Sequence, residues 1–467
     1  MKSFFQRVLP GVFGKAADPQ ASVIDRSKTV AVTPSSPGTS PAVNPLGQAG
    51  GASGIGARRP LISADGAVAG FEFRIGNQMM RRLQGRPDER TQAAHVAAVL
   101  TAASWVTQKG RTGVARMPAD WLVHAVGMKV GPGVMIALEE PAGPAPQPAV
   151  VDADQAVTRQ LRENGVKLGW ELMSDLGLDP DFVLVRQGSQ DMAAMMAAMR
   201  AWPAALKGLP VIATDIVSTE DLELALQGGV AYACGALVPR AERDEVTEVK
   251  PVPPEVRRIG HLLNQLVTGA DTGVIVGEIK GDVGLSYRVL RRLNSARYAQ
   301  LNGFSIDQAV PVLGRNELYR WLSMMLVQFA GSRKASSALQ EIALWRSRLL
   351  ELLALEKGEP VPGQFFTLGL ASLLGAILKL EPVDVVSTLS LPESARQALL
   401  DQTGPWHVYL AIAQQLEAHT LEDSPHLADA FGGVARVHVL SDEAWTWAEE
   451  NTDKTASAAA PGASSSG

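Results

Sequence analysis

Few residues of this 467-residue chain have the types and spacings that could do chemistry. The single cysteine, Cys234, excludes an intramolecular disulfide framework and a cysteine-rich zinc site, since both need several thiols. The seven histidines (His95, His124, His261, His407, His419, His426 and His438) are scattered. His419 and His426 could share a helix face as metal ligands only if the helix survived Ser424-Pro425, and proline breaks helix interiors. Solvated surface histidines are the plainer reading. Neither a G-x-x-x-x-G-K-S nor a G-x-G-x-x-G phosphate loop occurs, and no Ser/His/Asp arrangement has convincing spacing. Asn294-Ser295 precedes an expected helix end, where cap and turn hydrogen bonding explains it better than ligand recognition. Trp321 and Trp345 lie in apolar helical patterns, as core anchors do.

The elements that must position these residues fall into two regimes. From Arg59 to about Arg243, eight short apolar runs (PLIS, AVAGFEF, TGVARM, GVMIAL, GVKLGW, DFVLVR, LPVIAT and VAYACGALV) alternate with helical stretches. Examples of the latter are 91–108, 152–163, 191–206 and 218–226. Repeated strand–helix units with Gly or Pro junctions argue for a parallel sheet, open or closed as a barrel. From Pro254 to about Asn451 helical periods dominate, and Phe365–Leu378 reads as a core helix too short to span a bilayer. The expected organisation is an α/β domain over 59–243, a charged, Pro-rich linker over 244–253, and an all-α domain over 254–451.

The ends carry no such pattern. Residues 17–58 and 452–467 are rich in Pro, Ser, Ala and Gly and cannot bury enough surface to offset their ordering entropy. They are expected to be disordered. Residues 1–16 carry an apolar stripe (Phe4, Phe5, Val8, Leu9, Val12, Phe13) beside Lys2, Arg7 and Lys15, interrupted by Pro10-Gly11. Such a stretch suits a membrane surface or a partner; a frayed terminus is the plainer alternative. A net charge of −5 argues against a broad nucleic-acid footprint, and the composition fits a soluble protein of a reducing, cytoplasmic compartment.

Leu290-Arg-Arg-Leu-Asn-Ser-Ala-Arg-Tyr298, then Ser305-Ile-Asp-Gln-Ala-Val-Pro-Val-Leu-Gly314 and Leu318-x-x-Trp321, resemble the HDOD domain, a helical relative of HD metal-dependent phosphohydrolases. The resemblance marks Asn294, Ser295, Gly314 and Trp321 as motif residues. The enzymatic relatives need a His on one helix and a His-Asp pair on another, because two divalent metals need clustered ligands. Here the first segment reads Leu344-Trp-Arg-Ser-Arg-Leu349, and the pair falls on Ser372 and Leu373. Neither supplies metal ligands.

The opening Arg59-Pro-Leu-Ile-Ser-Ala-Asp-Gly-Ala-Val-Ala-Gly-Phe-Glu72-Phe-Arg resembles the first two strands of an EAL domain. That resemblance implies a TIM-like barrel, here shortened between Glu171 and Arg186, and a site that hydrolyses cyclic di-GMP with two metals. The combination resembles a two-domain EAL-HDOD bacterial signalling family across roughly 59–420. Matched position by position, Glu72 keeps the first metal-ligand Glu, the substrate Arg falls near Gly76 and the metal-ligand Asn near Arg116. Ile136-Ala-Leu-Glu-Glu140 keeps Glu140 but has Ala137 for the first Glu. The paired acids become Glu171-Leu172, the next Lys and Asp fall on Leu184 and Arg186, the late Glu on Thr214 or Val217, and the substrate Gln on Cys234.

Against that resemblance, an alanine for a carboxylate removes a ligand, and an arginine in place of an Asn ligand brings a positive charge that would repel metal. The remnant acids Glu72, Glu140 and Glu171 could hold one ion at strand ends, but surviving structural acids are the plainer reading. The expectation is therefore a protein with no catalytic residue, metal or cofactor, which works by signalling or scaffolding through protein partners. A residual cyclic di-GMP phosphodiesterase is the enzyme alternative. A sensor that binds cyclic di-GMP without cleaving it is the third reading, disfavoured by the lost Arg and Gln contacts.

Overall fold

The computed structural model describes residues 58–459, except 86–87, 140–147, 172–178, 189–190, 203, 239–251, 294–304, 328–335, 379 and 390. The expected disordered segment before Arg58 and nearly all of the expected linker lie outside the described residues. Eight strands close into one barrel: β1 (Arg58–Ser63), β2 (Val68–Arg74), β3 (Thr112–Pro118), β4 (Val134–Glu139), β5 (Lys167–Glu171), β6 (Phe182–Arg186), β7 (Val211–Ser218) and β8 (Tyr232–Val238). Each overlaps one of the eight apolar runs. The strands β2 to β8 are mutually parallel, whereas β1 runs antiparallel to both β2 and β8. Its chain start therefore lies at the mouth formed by the carboxyl ends of the other strands, and Arg59 stands opposite Glu72.

Strand periodicity of two divides the barrel wall cleanly. Leu61, Val114, Met135, Ala137, Phe182, Leu184, Ile212 and Cys234 fill the interior as a separate apolar cluster. The alternate residues, among them Phe71, Ala115, Ile136, Leu168, Val183 and Ala213, point outward into the main core. Helices Glu89–Gln108, Pro148–Glu163, Met192–Arg200 and Thr219–Gln227 follow their strands. The stretch expected to be helical over 191–206 is two helices, the first ending at Arg200 and the second at Ala204–Lys207.

The antiparallel start leaves this jacket incomplete. A tight turn, with Gly66 at φ 81°, joins β1 to β2 and puts no helix between them. The outer faces of β8, β1 and β2 are covered instead by helices of the C-terminal half: Ser336–Lys357, His407–Ala418 and Val434–Ala459. Phe71 of β2 meets Trp445 edge-on at 4.9 Å, and Trp445 stacks on Trp345 at 5.0 Å. Arg58 lies over the Phe71 ring at 4.7 Å and pairs with Asp442 at 3.2 Å. Arg111 pairs with Glu341 at 2.9 Å, and the Ala338 N–H donates to the Gly66 carbonyl at 2.8 Å. Barrel wall and helices thus share one continuous apolar core.

Within the helical half, Pro362–Leu378 is buried along most of its length, as its sequence predicts. It approaches Ser336–Lys357 so closely that a side chain at Gly369 would lie 2.5 Å from the Ser347 backbone. The last helix runs on to Ala459, past Asn451 and into the stretch expected to lack order; Thr452 caps back onto the Ala448 carbonyl at 2.9 Å, and the alanines beyond favour helix. Among the described residues no helix is long and apolar enough to cross a membrane.

Because Trp445 belongs to both halves of this core, Trp445→Ala is expected to cost about 3–5 kcal/mol. Calorimetry should show one transition, moved down as a whole. Two separate transitions, with the barrel's unmoved, would show that the halves are energetically independent.

Candidate functional site

The mouth of the barrel gathers charged side chains from seven strands. Arg59 (β1), Glu72 and Arg74 (β2), Arg116 (β3), Glu139 (β4), Glu171 (β5), Arg186 (β6) and Asp215 (β7) meet there. Each lies on the inward register of its strand or at its end, so closure of the barrel brings them together. Arg116 is the hub. Its guanidinium reaches Glu139 at 2.5 Å, Glu171 at 3.1 Å and Glu72 at 3.4 Å, with 1% of the residue exposed. Arg59 holds Glu72 at 2.5 Å and Asp215 at 2.8 Å. Arg186 closes the ring over Glu171 at 2.6 Å and Asp215 at 3.4 Å.

Burial would raise the Glu72 carboxyl above its ordinary 4.5, but the Arg59 and Arg116 charges outweigh it and hold it at about 2. The same two arginines overcome burial at Asp215 and lower it. Burial also pushes the Cys234 thiol up to about 12; its sulfur lies 3.7 Å from Glu72 Oε2. Asp215 adopts a left-handed backbone, φ 57°, at a register shift between Ala213 and Ile216. That bulge turns its carboxylate into the mouth, and the ion pairs to Arg59 and Arg186 offset the backbone strain.

The expected site residues are therefore only partly assembled. Glu72 and Glu171 come together, both through Arg116. Glu140 lies outside the described residues, and its neighbour Glu139 is the acid that reaches the cluster. Thr214 is fully buried, whereas Val217 faces solvent. Arg59, Arg74, Glu139 and Asp215 were not singled out by spacing, because the antiparallel β1, the register at the ends of β2 and β4, and the β7 bulge aim them inward. Arg186 was marked only as a lost acid; its role as a counter-charge depends on neighbours. The two divalent metals of an EAL site do not fit this donor set. Each carboxylate already accepts from a guanidinium, and Arg116 stands between Glu72, Glu139 and Glu171. Among the described residues no group of three His, Cys, Asp or Glu side chains could hold a metal ion.

The helical half repeats this pattern. Arg346, from the segment that should offer a His, is buried and forks onto Glu417 at 2.6 and 2.8 Å. It also donates to the Ser372 hydroxyl, where the His-Asp pair would begin, at 2.9 Å. Glu417 accepts in addition from the Leu237 N–H of β8, which ties the pair to the barrel. Gly314 takes φ 77° between helices Ala309–Leu313 and Arg315–Val327, and Trp321 packs half-buried against the core. Trp345 is buried. Asn294 and Ser295 lie outside the described residues. The histidines need one correction: His419 is 2% exposed, not solvated, because its helix ends at Ala418 and a left-handed turn sends it toward the barrel mouth. His426 is exposed, and a different neighbour, His438, is buried and meets Glu422 at 3.2 Å.

Comparison with known proteins places an HDOD domain over residues 250–399. The uncharacterised protein YuxH of Bacillus subtilis is 32% identical over 155 residues, which are 32% of this chain and 38% of YuxH. Cyclic di-GMP phosphodiesterase CdgJ of Vibrio cholerae is 26% identical over 175 residues, 35% of this chain and 39% of CdgJ. The chain thus spans well under half the length of either curated relative. An EAL domain protein structure from Listeria monocytogenes superposes with TM-score 0.31 at 16% identity, over 40% of this chain and 87% of that one.

Arg116→Ala should cost about 3–5 kcal/mol at neutral pH, since it leaves buried Glu72 short of counter-charge. Glu72 is depressed in the folded state, so its contribution is present above about 4.5 and is lost as pH falls toward about 2. Urea denaturation at several pH values should show the deficit of the variant largest near neutrality and shrinking on acidification. A deficit independent of pH would contradict the assignment.

Proposed function

We propose that this chain, an EAL-like barrel joined to an HDOD domain, works without catalysis, as a signalling or scaffold protein that acts through protein partners in cyclic di-GMP-linked regulation. One observation carries the reading: the Arg116 guanidinium is bonded at once to Glu72, Glu139 and Glu171. Two-metal hydrolysis needs such acids to be free to bind cations and needs a base to activate water. Here they are spent on internal arginines. The link to cyclic di-GMP is supported by the sequence similarity to CdgJ, which is named for its phosphodiesterase activity. The lone, buried Cys234 suits a reducing cytoplasm.

In the HDOD half, Arg346 and Ser372 bond each other where the phosphohydrolases hold metal, which supports the same reading for that half. Purified protein supplied with Mg2+ or Mn2+ should show no turnover of cyclic di-GMP or of (p)ppGpp, and equilibrium dialysis should detect no cyclic di-GMP binding. Reproducible metal-dependent turnover that Glu72→Ala abolishes would overturn the proposal. Binding without turnover would replace the scaffold with a sensor.

A further inference from the structure

The β2 side of the barrel mouth is covered by residues from the other half of the molecule, while Arg186, Glu139 and Glu171 on the opposite side keep a third to a half of their side chains exposed. Arg74, at the end of β2, donates to the Ala418 carbonyl at 3.4 Å and the His419 carbonyl at 3.1 Å, the C-terminal end of helix His407–Ala418. Just outside, Arg81 of helix Asn77–Gly85 pairs with Asp423. Glu422 lies against Gly76: a Cβ there would stand 3.0 Å from its carboxyl carbon. His419 itself is buried, and neither ring nitrogen has a hydrogen-bond partner. The charges that act on it are those of the mouth: Arg74, Arg59, Asp215 and Arg116.

These contacts are complementary in charge. A helix C-terminus presents unsatisfied carbonyls and the negative end of the helix dipole, and arginines are the donors that suit it. The acidic turn that follows adds Asp423 to the same face. The imidazole brings no charge: burial and the adjacent Arg74 and Arg59 push its pKa well below the ordinary value. A neutral flat ring can therefore sit among arginines without repelling them.

We propose that Ala418–Asp423 is a built-in plug: the β2 side of the barrel mouth is a docking site for the chain's own helix C-terminus and acidic turn, with His419 as its stopper, and solutes are kept from Glu72 and Cys234 on that side. Gly76, where the resemblance puts a substrate-binding arginine, is thereby faced by a carboxylate of the same chain rather than open to a phosphate. This closure is a matter of access and stands apart from whether the acids beneath retain any chemistry.

The chain's single thiol reports on it. Cys234 is 1% exposed, inside the barrel beside Glu72. Labelling with methyl methanethiosulfonate, followed by mass spectrometry on the full-length protein, should be slow in the wild type. His419→Gly removes the ring while suiting the left-handed backbone at that position, and should raise the rate roughly tenfold at temperatures where the variant remains folded. Arg81→Glu sets two carboxylates against each other at an exposed clasp and should raise it roughly threefold. If His419→Gly does not fold, Arg81→Glu decides alone. Folded variants labelled at the wild-type rate, or wild-type Cys234 reacting like an unfolded-chain thiol, would overturn the plug. Turnover of cyclic di-GMP by His419→Gly would overturn the non-catalytic reading and leave the plug standing.

Discussion

A guanidinium placed inside a barrel dictates much of what surrounds it. Arg116 cannot lose its proton and carries five donors in a rigid plane, so burial is tolerable only where several acceptors converge. Three neighbouring strands, β2, β4 and β5, deliver them as Glu72, Glu139 and Glu171. The acids have the same need in reverse, since unpaired carboxylates this close would repel one another. Metal ions are one solution to that problem. Internal arginines are the one this chain uses, and Arg59 and Arg186 extend it to Asp215 on the far side of the mouth.

A buried arginine does comparable work in the helical half. Arg346 forks onto Glu417, and that carboxylate also takes the Leu237 N–H of the barrel. The pair lies where the helical jacket meets β8, so it couples polar satisfaction to docking of the two halves. The antiparallel β1 makes this docking necessary. With only a tight turn between β1 and β2, apolar residues such as Phe71 would face water unless Trp445 and its neighbours covered them. Covering the wall brings helix His407–Ala418 alongside the barrel and its C-terminus to the mouth. One strand direction thus leads to a shared core and to a partly covered site.

Much of this was legible along the chain. Eight apolar runs of strand length correspond to eight strands, because period-two burial is a local property that needs no knowledge of partners. The core helix at Pro362–Leu378 declares itself through a largely apolar, uncharged composition. Arg116 and Ala137 were marked as departures from a metal site by matching short motifs. What stayed hidden was everything that depends on aim. Glu139 and Glu140 are indistinguishable as letters, and strand register selects the first. Asp215 reaches the mouth through a bulge, and a surface-type histidine at 419 becomes buried through a left-handed turn.

Residue types alone determined which acids and arginines are available to the barrel mouth, since the identity of a side chain is a covalent fact. Tertiary structure decided what those arginines do. Pairing is a matter of ångströms between strands distant in the chain, and only closure of the barrel sets Arg59 beside Asp215 or Arg116 between three glutamates. The same holds for the division into two halves. Periodicity separates an α/β region from an α region, but whether they share a core depends on which faces remain uncovered once each has folded, and here the outer wall of β8, β1 and β2 remained for the helices to cover.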